Sequence, residues 1–470
     1  MPNNAGGVGW TLIPTVAFIL IYFAVPPLIL LYFRGEEISS TCSEIASSPQ
    51  GLITLAVTLI VMFITQNRLL RHGMRSPAIF LLAALTFLAL LRYFMDVSSL
   101  ILWDTQLMKQ TFPLSGKVAV VTGANKGIGF EAAKMLAVEL GAHVILTCRT
   151  KSRCHDAVAE VNEAAQASRS GGSARSMALE LASLESVKEL VDELNADEIV
   201  RERGIHLLFN HAGIMPGEKL TNEGLEDGFG GLHITHMALT LGALPLLEKG
   251  ATGSNIGPSR VVITTSDSFI FSLQSTTGDA FHASLFEGDG EGDLRGEITY
   301  AKKEPFGMRR MHAYSRAKLA NVLFCFELNR RLRAKYSDQP SPLVIAHTFH
   351  PGAVVTTCAK DAAGGALAAI PGLDWIATRI FIPLLFRSPR GGARVLLFAG
   401  LGENPPIMRH GGTYINGMGQ PVVSSLENST AHSKLVRVLQ ADQKYSGRLW
   451  DVSLRLIRDS PARRVAKNAP

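Results

Sequence analysis

The stretch KVAVVTGANKGIGFEAAKMLAVELGAHVILTCR, residues 117–149, decides the fold class of this chain. It contains a buried strand, a glycine turn, an amphipathic helix, a further glycine and a second strand. Continuous apolar runs such as VAVV, HVIL, HLLF and VVIT are typical of parallel strands that are covered on both faces. Helical segments separate these runs, so the sequence predicts an α/β domain over residues 113–458, with a doubly wound parallel sheet of the Rossmann type.

The glycine turn lies between the first strand and its helix. Glycine permits positive φ and lets a pyrophosphate approach backbone N–H groups, and the helix N-terminus adds donors and a positive dipole end. An ordinary strand–helix turn is the alternative interpretation. We predict that the turn binds a dinucleotide through Thr122, Gly123, Asn125, Lys126, Gly127, Ile128 and Gly129.

The end of the second strand indicates which dinucleotide is bound. Proteins that bind the free ribose 2′-hydroxyl usually carry Asp or Glu at this position, whereas this chain has Cys148 followed by Arg149. Arg149 and Lys126 are cations placed to meet a 2′-phosphate, unless they are merely solvated surface charges. The sequence therefore predicts NADP(H) rather than NAD(H).

The first hundred residues are strongly apolar. Residues 10–33 carry no charge and are long enough to cross a hydrocarbon core of ~30 Å. Two shorter runs, 51–65 and 78–91, are short spans or one membrane-associated hairpin. We predict that residues 1–112 are a membrane-anchoring region of one to three helices rather than a signal peptide; buried helices of a soluble domain are the alternative.

The orientation of the anchored domain depends on the number of spans. A loop with Arg68, Arg71 and Arg75 follows the acidic segment 34–50, and positive loops face the cytosol. Three spans would place the downstream domain in the lumen, whereas one span with a hairpin leaves the side open. The chain has one N-glycosylation sequon, Asn428-Ser429-Thr430.

The cysteine pattern and the net charge indicate which compartment and which partners to expect. The five cysteines have no C-x-x-C spacing, which predicts free thiols, no zinc site and a reducing environment. We favour a cytosol-facing domain on the endoplasmic reticulum membrane, because the second and third apolar runs are short and Arg92 interrupts the third; a lumenal domain is the alternative. The net charge is +6 without a long basic run, so no nucleic-acid partner is expected, and residues 459–470 are expected to form a frayed basic tail.

A tyrosine and a lysine four residues apart, Tyr314 and Lys318, are the candidate proton-transfer pair. On a helix this spacing places both side chains on one face. Tyrosine has an unperturbed pKa of about 10, and a cation one turn away lowers it by stabilising the phenolate. An isolated pair of this kind is usually a solvated surface pair, so its meaning depends on the rest of the chain.

The surrounding motifs occur in a recognisable order. They are TGANKGIG, FNHAG at 209–213, VVITTS ending at Ser266, AYSRAKLANVLF, HPGAVVTT at 350–357, RSPRGGARVLLF and GGTYINGMG. With these motifs, residues 115–455 resemble the short-chain dehydrogenase/reductase family, and within it the retinol-dehydrogenase-like group.

The resemblance implies roles for individual residues. Tyr314 would be the general acid/base, Lys318 would bind the nicotinamide ribose, and Ser266 would orient the substrate carbonyl. Further cofactor contacts implied by the resemblance are Glu180, Leu181, Asn210, Ala212, Gly213, Pro351, Gly352, Val354 and Thr356.

Two positions depart from the family pattern. His211 replaces the second Asn of the usual NNAG, and Leu232 stands where the family often has an Asn that holds a water of the proton relay. His233 and Thr235 are the candidates to serve instead. A catalytically weak or inactive NADPH-binding membrane scaffold is therefore the alternative to an enzyme.

The sequence as a whole predicts a membrane-anchored NADP(H)-dependent oxidoreductase for a lipophilic carbonyl or alcohol of the retinoid, sterol or long-chain lipid class. The apolar segment 364–386 is expected to be a substrate lid that rests on the membrane, with a further span as the alternative. Residues 267–313 are expected to be a solvated insertion with an acidic patch. Homo-oligomer formation is left open.

Overall fold

The computed structural model describes residues 114–470 with gaps. The chain divides into two units, and the described residues other than Val436 lie in the unit that comprises 95–423 and 438–470. The residues inside 114–470 that fall outside the description are 218, 253, 255, 270–305, 357–359, 362–374, 376–377, 380–381, 403–408, 418–420, 423–435, 437–438 and 440–442.

The centre of the domain is a sheet in the order β3-β2-β1-β4-β5-β6-β7-β8. Seven strands are parallel, and β8 pairs with β7 in the antiparallel direction. The reversal of strand order between β1 and β4 confirms the predicted doubly wound sheet. The strands are β1 Val118–Thr122, β2 His143–Cys148, β3 Ser173–Ala178, β4 Leu207–Asn210, β5 Ser259–Thr264, β6 Val344–Phe349, β7 Thr413–Ile415 and β8 Pro421–Val422.

Helices cover the sheet in two packed groups. One group contains α1, α2 and α8, and the other contains α3, α4, α5, α6 and α9. The helices are α1 Gly127–Lys134, α2 His155–Ser168, α3 Leu184–Ala196, α4 Glu198–Arg203, α5 Asp227–Ala251, α6 Phe306–Lys335, α7 Ile382–Leu385, α8 Pro389–Leu401 and α9 Gln443–Arg458. Helix α5 contains a π-helical turn, Gly230–Ile234.

The core explains why the strand sequences are apolar throughout. The residues of β1 are fully buried along its length. Ala119 and Val121 pack in one cluster with residues of α1 and α8. A Cβ at Gly392 in α8 would lie 3.0 Å from Ile128 Cγ1, so glycine allows this helix to approach α1 closely. The sheet is therefore covered on both faces, as continuous apolar runs predict.

Helix α5 is long and apolar enough to cross a membrane, and no other helix among the described residues is. However, 94% of its most apolar 18-residue window is buried inside the domain. Its position between the sheet and α3 is that of a core helix. The predicted membrane segments within residues 1–112 lie outside the described residues.

The C-terminal segment does not form the frayed tail that its basic composition suggested. Residues Pro461–Asn468 form a 3-10 helix, and Ala462, Val465 and Ala466 are buried. Val465 Cγ1 would lie 3.0 Å from a Cβ at Gly242 of α5. The basic side chains of this segment alternate with apolar ones that pack on the domain, which explains why charge alone was misleading.

Two expected surface segments are only partly described. Residues 270–305 of the predicted insertion lie outside the described residues, and α6 already begins at Phe306, so the last part of the expected loop is helical. The predicted lid at 364–386 is described at 375, 378–379 and 382–386, where α7 lies and where Trp375 is 59% exposed. The sequon at 428–430 lies outside the described residues.

Acid should weaken this fold through a buried histidine. His206 is 4% exposed, and its Nδ1 accepts the N–H of Val118 at 3.2 Å. Burial, with smaller contributions from Lys117 and Arg203, lowers the pKa of His206 from 6.5 to about 4. Between these two values the unfolded chain binds a proton that the folded chain does not, so stability is present above pH 6.5 and is lost as the pH falls towards 4.

We expect the His206→Gln variant to lose less stability on acidification than the unmodified chain. Gln still offers an acceptor to Val118 but takes up no proton. The difference between pH 7 and pH 4.5 should be roughly 2 kcal/mol, measured by chemical unfolding of the full chain in mild detergent. His155→Gln, which changes an exposed imidazole, is the matched control. Equal acid sensitivity of the unmodified chain and His206→Gln would contradict the assignment.

Candidate active site

The predicted proton-transfer pair lies on helix α6 at the carboxyl edge of the sheet. Lys318 Nζ is 5.4 Å from the centroid of the Tyr314 ring, so the side chains share one helix face as the spacing predicts. Lys318 is buried, and its Nζ donates to the carbonyl oxygen of Thr264 at 3.1 Å. The ammonium group is thereby held beside a half-buried tyrosine ring.

The segment that carries Ser266 follows strand β5 and is tied to the same helix. Thr265 Oγ1 donates to the carbonyl oxygen of Lys318 at 2.7 Å, and Asn321 Nδ2 donates to Thr264 O at 3.2 Å. These bonds fix the end of β5 against α6. The structure therefore brings half-buried Ser266 to the helix that carries the tyrosine and the lysine, although 48 residues separate Ser266 from Tyr314 in the sequence.

The glycine turn is closely packed on one side and open on the other. Gly123 has φ of 68°, and Gly127 has φ of 64°. A Cβ at Gly123 would lie 2.8 Å from Ala212 Cα, and a Cβ at Gly129 would lie 2.5 Å from the oxygen of Gly123. A Cβ at Gly127 would meet nothing within 4 Å. The turn thus presents free space at the N-terminus of α1.

The remaining side chains of the glycine turn differ in their exposure to solvent. Lys126 is exposed, and Asn125 is half-buried. Ile128 is buried and packs against Gly392, so only its backbone faces the turn. Lys126 makes no side-chain cap to α1, and the first turn of α1 has no acidic residue.

Thr122 lies inside the domain rather than at its surface. Its Oγ1 accepts the backbone N–H groups of His211 and Ala212, each at 2.8 Å. The same oxygen is 3.2 Å from the carbonyl oxygen of Phe209 and 3.2 Å from His236 Nε2. Thr122 therefore holds the NHAG segment against β1, and its hydroxyl group is already engaged by the protein.

Asn210 is also an internal residue. It is 1% exposed, and its Nδ2 donates to Thr240 Oγ1 at 2.7 Å and to the carbonyl oxygen of His236 at 3.4 Å. These bonds tie β4 to α5. Ala212 is buried next to Thr122, whereas Gly213 is exposed, so the chain reaches the surface at the end of the NHAG segment.

Arg149 and Glu180, which the sequence suggested for different parts of a dinucleotide, form an ion pair. Arg149 Nε is 2.8 Å from Glu180 Oε2, and both side chains are partly exposed. Leu181, the neighbour of Glu180, is buried, and its carbonyl oxygen accepts from Thr235 Oγ1 at 2.7 Å. The pair lies beyond the ends of β2 and β3, at the same edge of the sheet as the glycine turn.

The loop after β6 is held by one buried arginine. Arg387 Nη1 donates to the carbonyl oxygen of Pro351 at 3.2 Å, and Arg387 pairs with Val354 in a parallel bridge. Gly352 has φ of 77°, which glycine adopts without strain. Thr356 is half-buried at the end of this loop. The loop is therefore fixed at the carboxyl edge, next to the ends of β5 and β7.

Comparison with known proteins agrees with this arrangement. A family model for short chain dehydrogenase matches residues 117–257. The WW domain-containing oxidoreductase of Gallus gallus is 32% identical over 356 residues, which are 75% of this chain and 70% of that protein. Retinol dehydrogenase 14 of Mus musculus is 30% identical over 348 residues, 72% of this chain and 85% of that protein. Polyprenol dehydrogenase of Danio rerio is 28% identical over 377 residues, 79% of this chain and 97% of that protein.

The chain belongs to the short-chain dehydrogenase/reductase family. It is similar to the retinol-dehydrogenase-like group in particular. The family fold binds a nicotinamide cofactor, and the residues present fit such a group. The open space beside Gly127 and the uncapped first turn of α1 leave backbone N–H groups available for a pyrophosphate.

The position that departs most from the short-chain dehydrogenase/reductase pattern, Leu232, is completely buried in α5. Its carbonyl oxygen accepts from Asn321 Nδ2 at 3.1 Å and from His236 Nδ1 at 3.1 Å. Of the two suggested substitutes, Thr235 donates its hydroxyl group to the carbonyl oxygens of Leu181 and Gly230. His233 bonds to Asn321 and Ser453, and burial lowers its pKa to about 3.

His211, the second departure from the family motif, lies beside the lysine. Its Nδ1 is 3.1 Å from Thr264 Oγ1. Burial, followed by the positive charge of Lys318, lowers the pKa of His211 to about 3, and the pKa of His236 is lowered by burial to about 4. Both imidazoles are therefore neutral at physiological pH, and neither adds positive charge to the site.

The expectation of free thiols is wrong for one pair of cysteines. A disulfide joins Cys148 to Cys154, with Cα atoms 5.9 Å apart. The single helical turn Lys151–Cys154 brings the second cysteine back to the end of β2, a contact that the spacing of six residues does not reveal. Cys325 is a buried free thiol whose pKa is raised by burial, and Cys42 and Cys358 lie outside the described residues.

Sequence reasoning missed several polar residues at this edge of the sheet. Asn321 links the helix of the lysine to the end of β5, and Asp267 and His350 form a close pair. Two signals were available, because Asp267 directly follows Ser266 and His350 begins the HPG motif. No cluster of metal-ligating residues occurs in the described part of the chain.

Proposed function

We propose that this chain is a membrane-anchored NADP(H)-dependent oxidoreductase that interconverts a lipophilic carbonyl and the corresponding alcohol. The observation that carries the proposal is the convergence of Tyr314, Lys318 and the Ser266 segment beside the glycine turn. Family membership supports oxidoreductase chemistry at this edge of the sheet.

Each of these residues has a distinct task in the proposal. The bound nicotinamide supplies or accepts the hydride. The Tyr314 hydroxyl group gives a proton to the carbonyl oxygen, or takes it from the alcohol in the reverse direction. Lys318, whose ammonium group lies 5.4 Å from the tyrosine ring centroid, stabilises the phenolate form and contacts the nicotinamide ribose. Ser266 donates to the same carbonyl oxygen and orients it.

The substrate class is proposed from two features. The names retinol dehydrogenase and polyprenol dehydrogenase refer to relatives that act on long apolar alcohols. This chain carries apolar stretches at 10–33 and 364–386, which suit a membrane anchor and a cover over an apolar substrate. A substrate dissolved in the membrane would then enter the site without crossing water.

Replacement of the proposed acid tests the chemistry. Tyr314→Phe should lower kcat/KM for NADPH-dependent reduction roughly 100-fold or more, because the ring stays and only the proton is lost. Retinal, a polyprenal and a sterol ketone are the probes, and NADPH affinity should change less than about twofold. Lys318→Ala should weaken both turnover and NADPH binding.

Tyr336→Phe is the matched control, because Tyr336 follows α6 and its hydroxyl group bonds to Glu248 away from the site. It should leave the turnover of every probe unchanged. Substantial turnover by Tyr314→Phe would show that another group supplies the proton.

The cofactor preference is proposed from the cations near β2. Arg149 follows β2, and exposed Lys126 lies in the glycine turn, where both suit a 2′-phosphate. Glu180 already pairs with Arg149 at 2.8 Å, so a phosphate must compete with this carboxylate.

NADPH should bind at least tenfold more tightly than NADH, a difference of about 1.4 kcal/mol. Arg149→Asp should abolish this preference, and Glu180→Gln should strengthen NADPH binding because it releases the guanidinium. Lys151→Ala is the control, since Lys151 pairs with Glu193 at the surface. Titration of cofactor fluorescence gives the NADPH and NADH affinities of the unmodified chain and of the three variants, and equal NADPH and NADH affinities in the unmodified chain would refute the assignment.

A cofactor-binding scaffold without turnover is the second candidate function, and Leu232 favours it. The side chain that supports the relay water in many relatives is absent from this position. Single-turnover oxidation of bound NADPH with the three carbonyl probes separates the two functions. An active enzyme oxidises the cofactor with at least one probe, whereas a scaffold binds NADPH and oxidises it with none.

The disulfide bears on the side of the membrane that the domain faces. Disulfides persist in oxidising compartments and are rare in the cytosol. The odd number of cysteines favoured a reducing environment, but the Cys148–Cys154 bond supports the opposite side. A lumenal domain also agrees with the cytosolic placement of the Arg68–Arg75 loop under three spans. We therefore propose a lumenal orientation in the endoplasmic reticulum.

A C-terminally tagged chain in sealed microsomes should be protected from added protease, and its sequon at Asn428 should be sensitive to glycosidase. Trypsin digestion without reductant should yield one disulfide-linked peptide pair, since Arg149, Lys151 and Arg153 lie between the two cysteines. Cys325→Ser is the control and should leave this pair intact. Proteolysis of the domain in sealed vesicles would restore the cytosolic orientation.

A further inference from the structure

Three neighbouring strands end in polar residues that meet outside the proton-transfer pair. Asp267 lies three residues after β5, His350 directly follows β6, and Tyr414 lies in β7. The strands are adjacent and parallel, with Thr348 opposite Tyr414 in the register. Their carboxyl ends therefore bring the three side chains together, although they are far apart in the sequence.

The three side chains form a connected hydrogen-bond group. Tyr414 Oη donates to Asp267 Oδ1 at 2.5 Å, and His350 Nε2 is 2.7 Å from Asp267 Oδ2. His350 Nδ1 accepts the N–H of Gly352 at 3.1 Å. The two carboxylate oxygens of Asp267 therefore contact side chains of two different segments, Oδ1 the Tyr414 hydroxyl group and Oδ2 the His350 imidazole.

This group is largely withdrawn from solvent. The side chains of Asp267 and His350 are 18% and 12% exposed, and Tyr414 is fully buried. The His350 and Tyr414 rings are stacked with an interplanar angle of 26° and centroids 6.2 Å apart. A carboxylate in such surroundings requires hydrogen bonds to offset lost hydration, and bonds to an ionised acceptor are stronger than neutral ones.

The group connects the segment of Ser266 to the loop that begins at His350. The proposed reaction requires these two segments to keep a fixed distance from each other. Asp267 is the neighbour of Ser266, and His350 is the neighbour of Pro351 at the start of the loop in which the family resemblance implies cofactor contacts. The backbone N–H of Gly417 also donates to His350 Nε2 at 2.7 Å. A Cβ on Gly417 would lie 2.7 Å from His350 Cε1, so the ring is enclosed by backbone as well as by the carboxylate.

We propose that Asp267 is a positioning residue that links the serine segment to the nicotinamide loop through His350 and Tyr414. The carboxylate sets the distance between a carbonyl held by Ser266 and the hydride-bearing carbon of a nicotinamide held by the 350–356 loop. This inference rests on the proposed oxidoreductase function, and it makes no use of Asp267 as an acid or a base.

Asp267→Ala removes both acceptors, whereas Asp267→Asn can still join the ring and the hydroxyl group through its amide oxygen and amino group. With the most active carbonyl probe, Asp267→Ala should lower kcat at least tenfold while the KM for NADPH changes less than threefold. The primary isotope effect on kcat, measured with NADPH deuterated at the transferred position, should increase because hydride transfer becomes slower. Asp267→Asn should recover most of kcat.

Ser268→Ala is the matched control in the same turn. Ser268 is buried, its hydroxyl oxygen has no hydrogen-bond partner, and its backbone N–H, which reaches Ser266 Oγ at 3.3 Å, is retained. The control should keep the turnover and isotope effect of the unmodified chain. If Asp267→Ala lowers turnover only in proportion to the folded fraction, with an unchanged isotope effect, the positioning role is refuted.

A second measurement does not require turnover. Hydrogen exchange of peptides that cover residues 350–356 should be at least threefold faster in Asp267→Ala than in the unmodified chain, with peptides of β1 unchanged. Unchanged exchange in this loop would also refute the link. If the unmodified chain oxidises NADPH with no probe, the proposed function fails, while the exchange result still decides whether Asp267 holds the loop.

Discussion

The carbonyl oxygen of Thr264 is the point on which the site depends. Thr264 is the last residue of β5, and its carbonyl oxygen accepts hydrogen bonds from Lys318 Nζ at 3.1 Å and from Asn321 Nδ2 at 3.2 Å. A buried ammonium group is costly unless hydrogen bonds replace its water, so this oxygen allows Lys318 to lie inside the domain. The same contact fixes α6 against the sheet, and the position of Tyr314 follows from it.

The parallel sheet supplies the second constraint. All strands from β1 to β7 end at one edge, so residues placed just after different strands become neighbours whatever their separation in sequence. The glycine turn after β1, the Arg149–Glu180 pair after β2 and β3, Ser266 after β5 and His350 after β6 all obey this rule. The chemistry of the edge is therefore assembled largely by topology, and helix α6 adds Tyr314 and Lys318.

The strand sequences and the Tyr-Lys spacing could be predicted because they depend on local periodicity. Continuous apolar runs identified β1, β2, β4 and β5, and the four-residue spacing placed the pair on one face of α6. The inward orientation of Thr122, the ion pair of Arg149 with Glu180 and the disulfide at Cys148 could not be predicted in this way. The first two depend on which residues of distant segments approach one another, and the disulfide depends on the local turn Lys151–Cys154; a single sequence carries no signal for these contacts.

Leu232 shows why a motif departure need not change the backbone around it. Its side chain differs from the Asn that the family often carries, and helix α5 has a π-helical turn at Gly230–Ile234. The Leu232 carbonyl oxygen points out of the regular helix pattern to Asn321 and His236. Because Asn321 also bonds to Thr264, the backbone of α5 remains connected to the lysine site through a residue of α6. The substitution therefore removes a side chain from the site and leaves the scaffold that orients Lys318 in place.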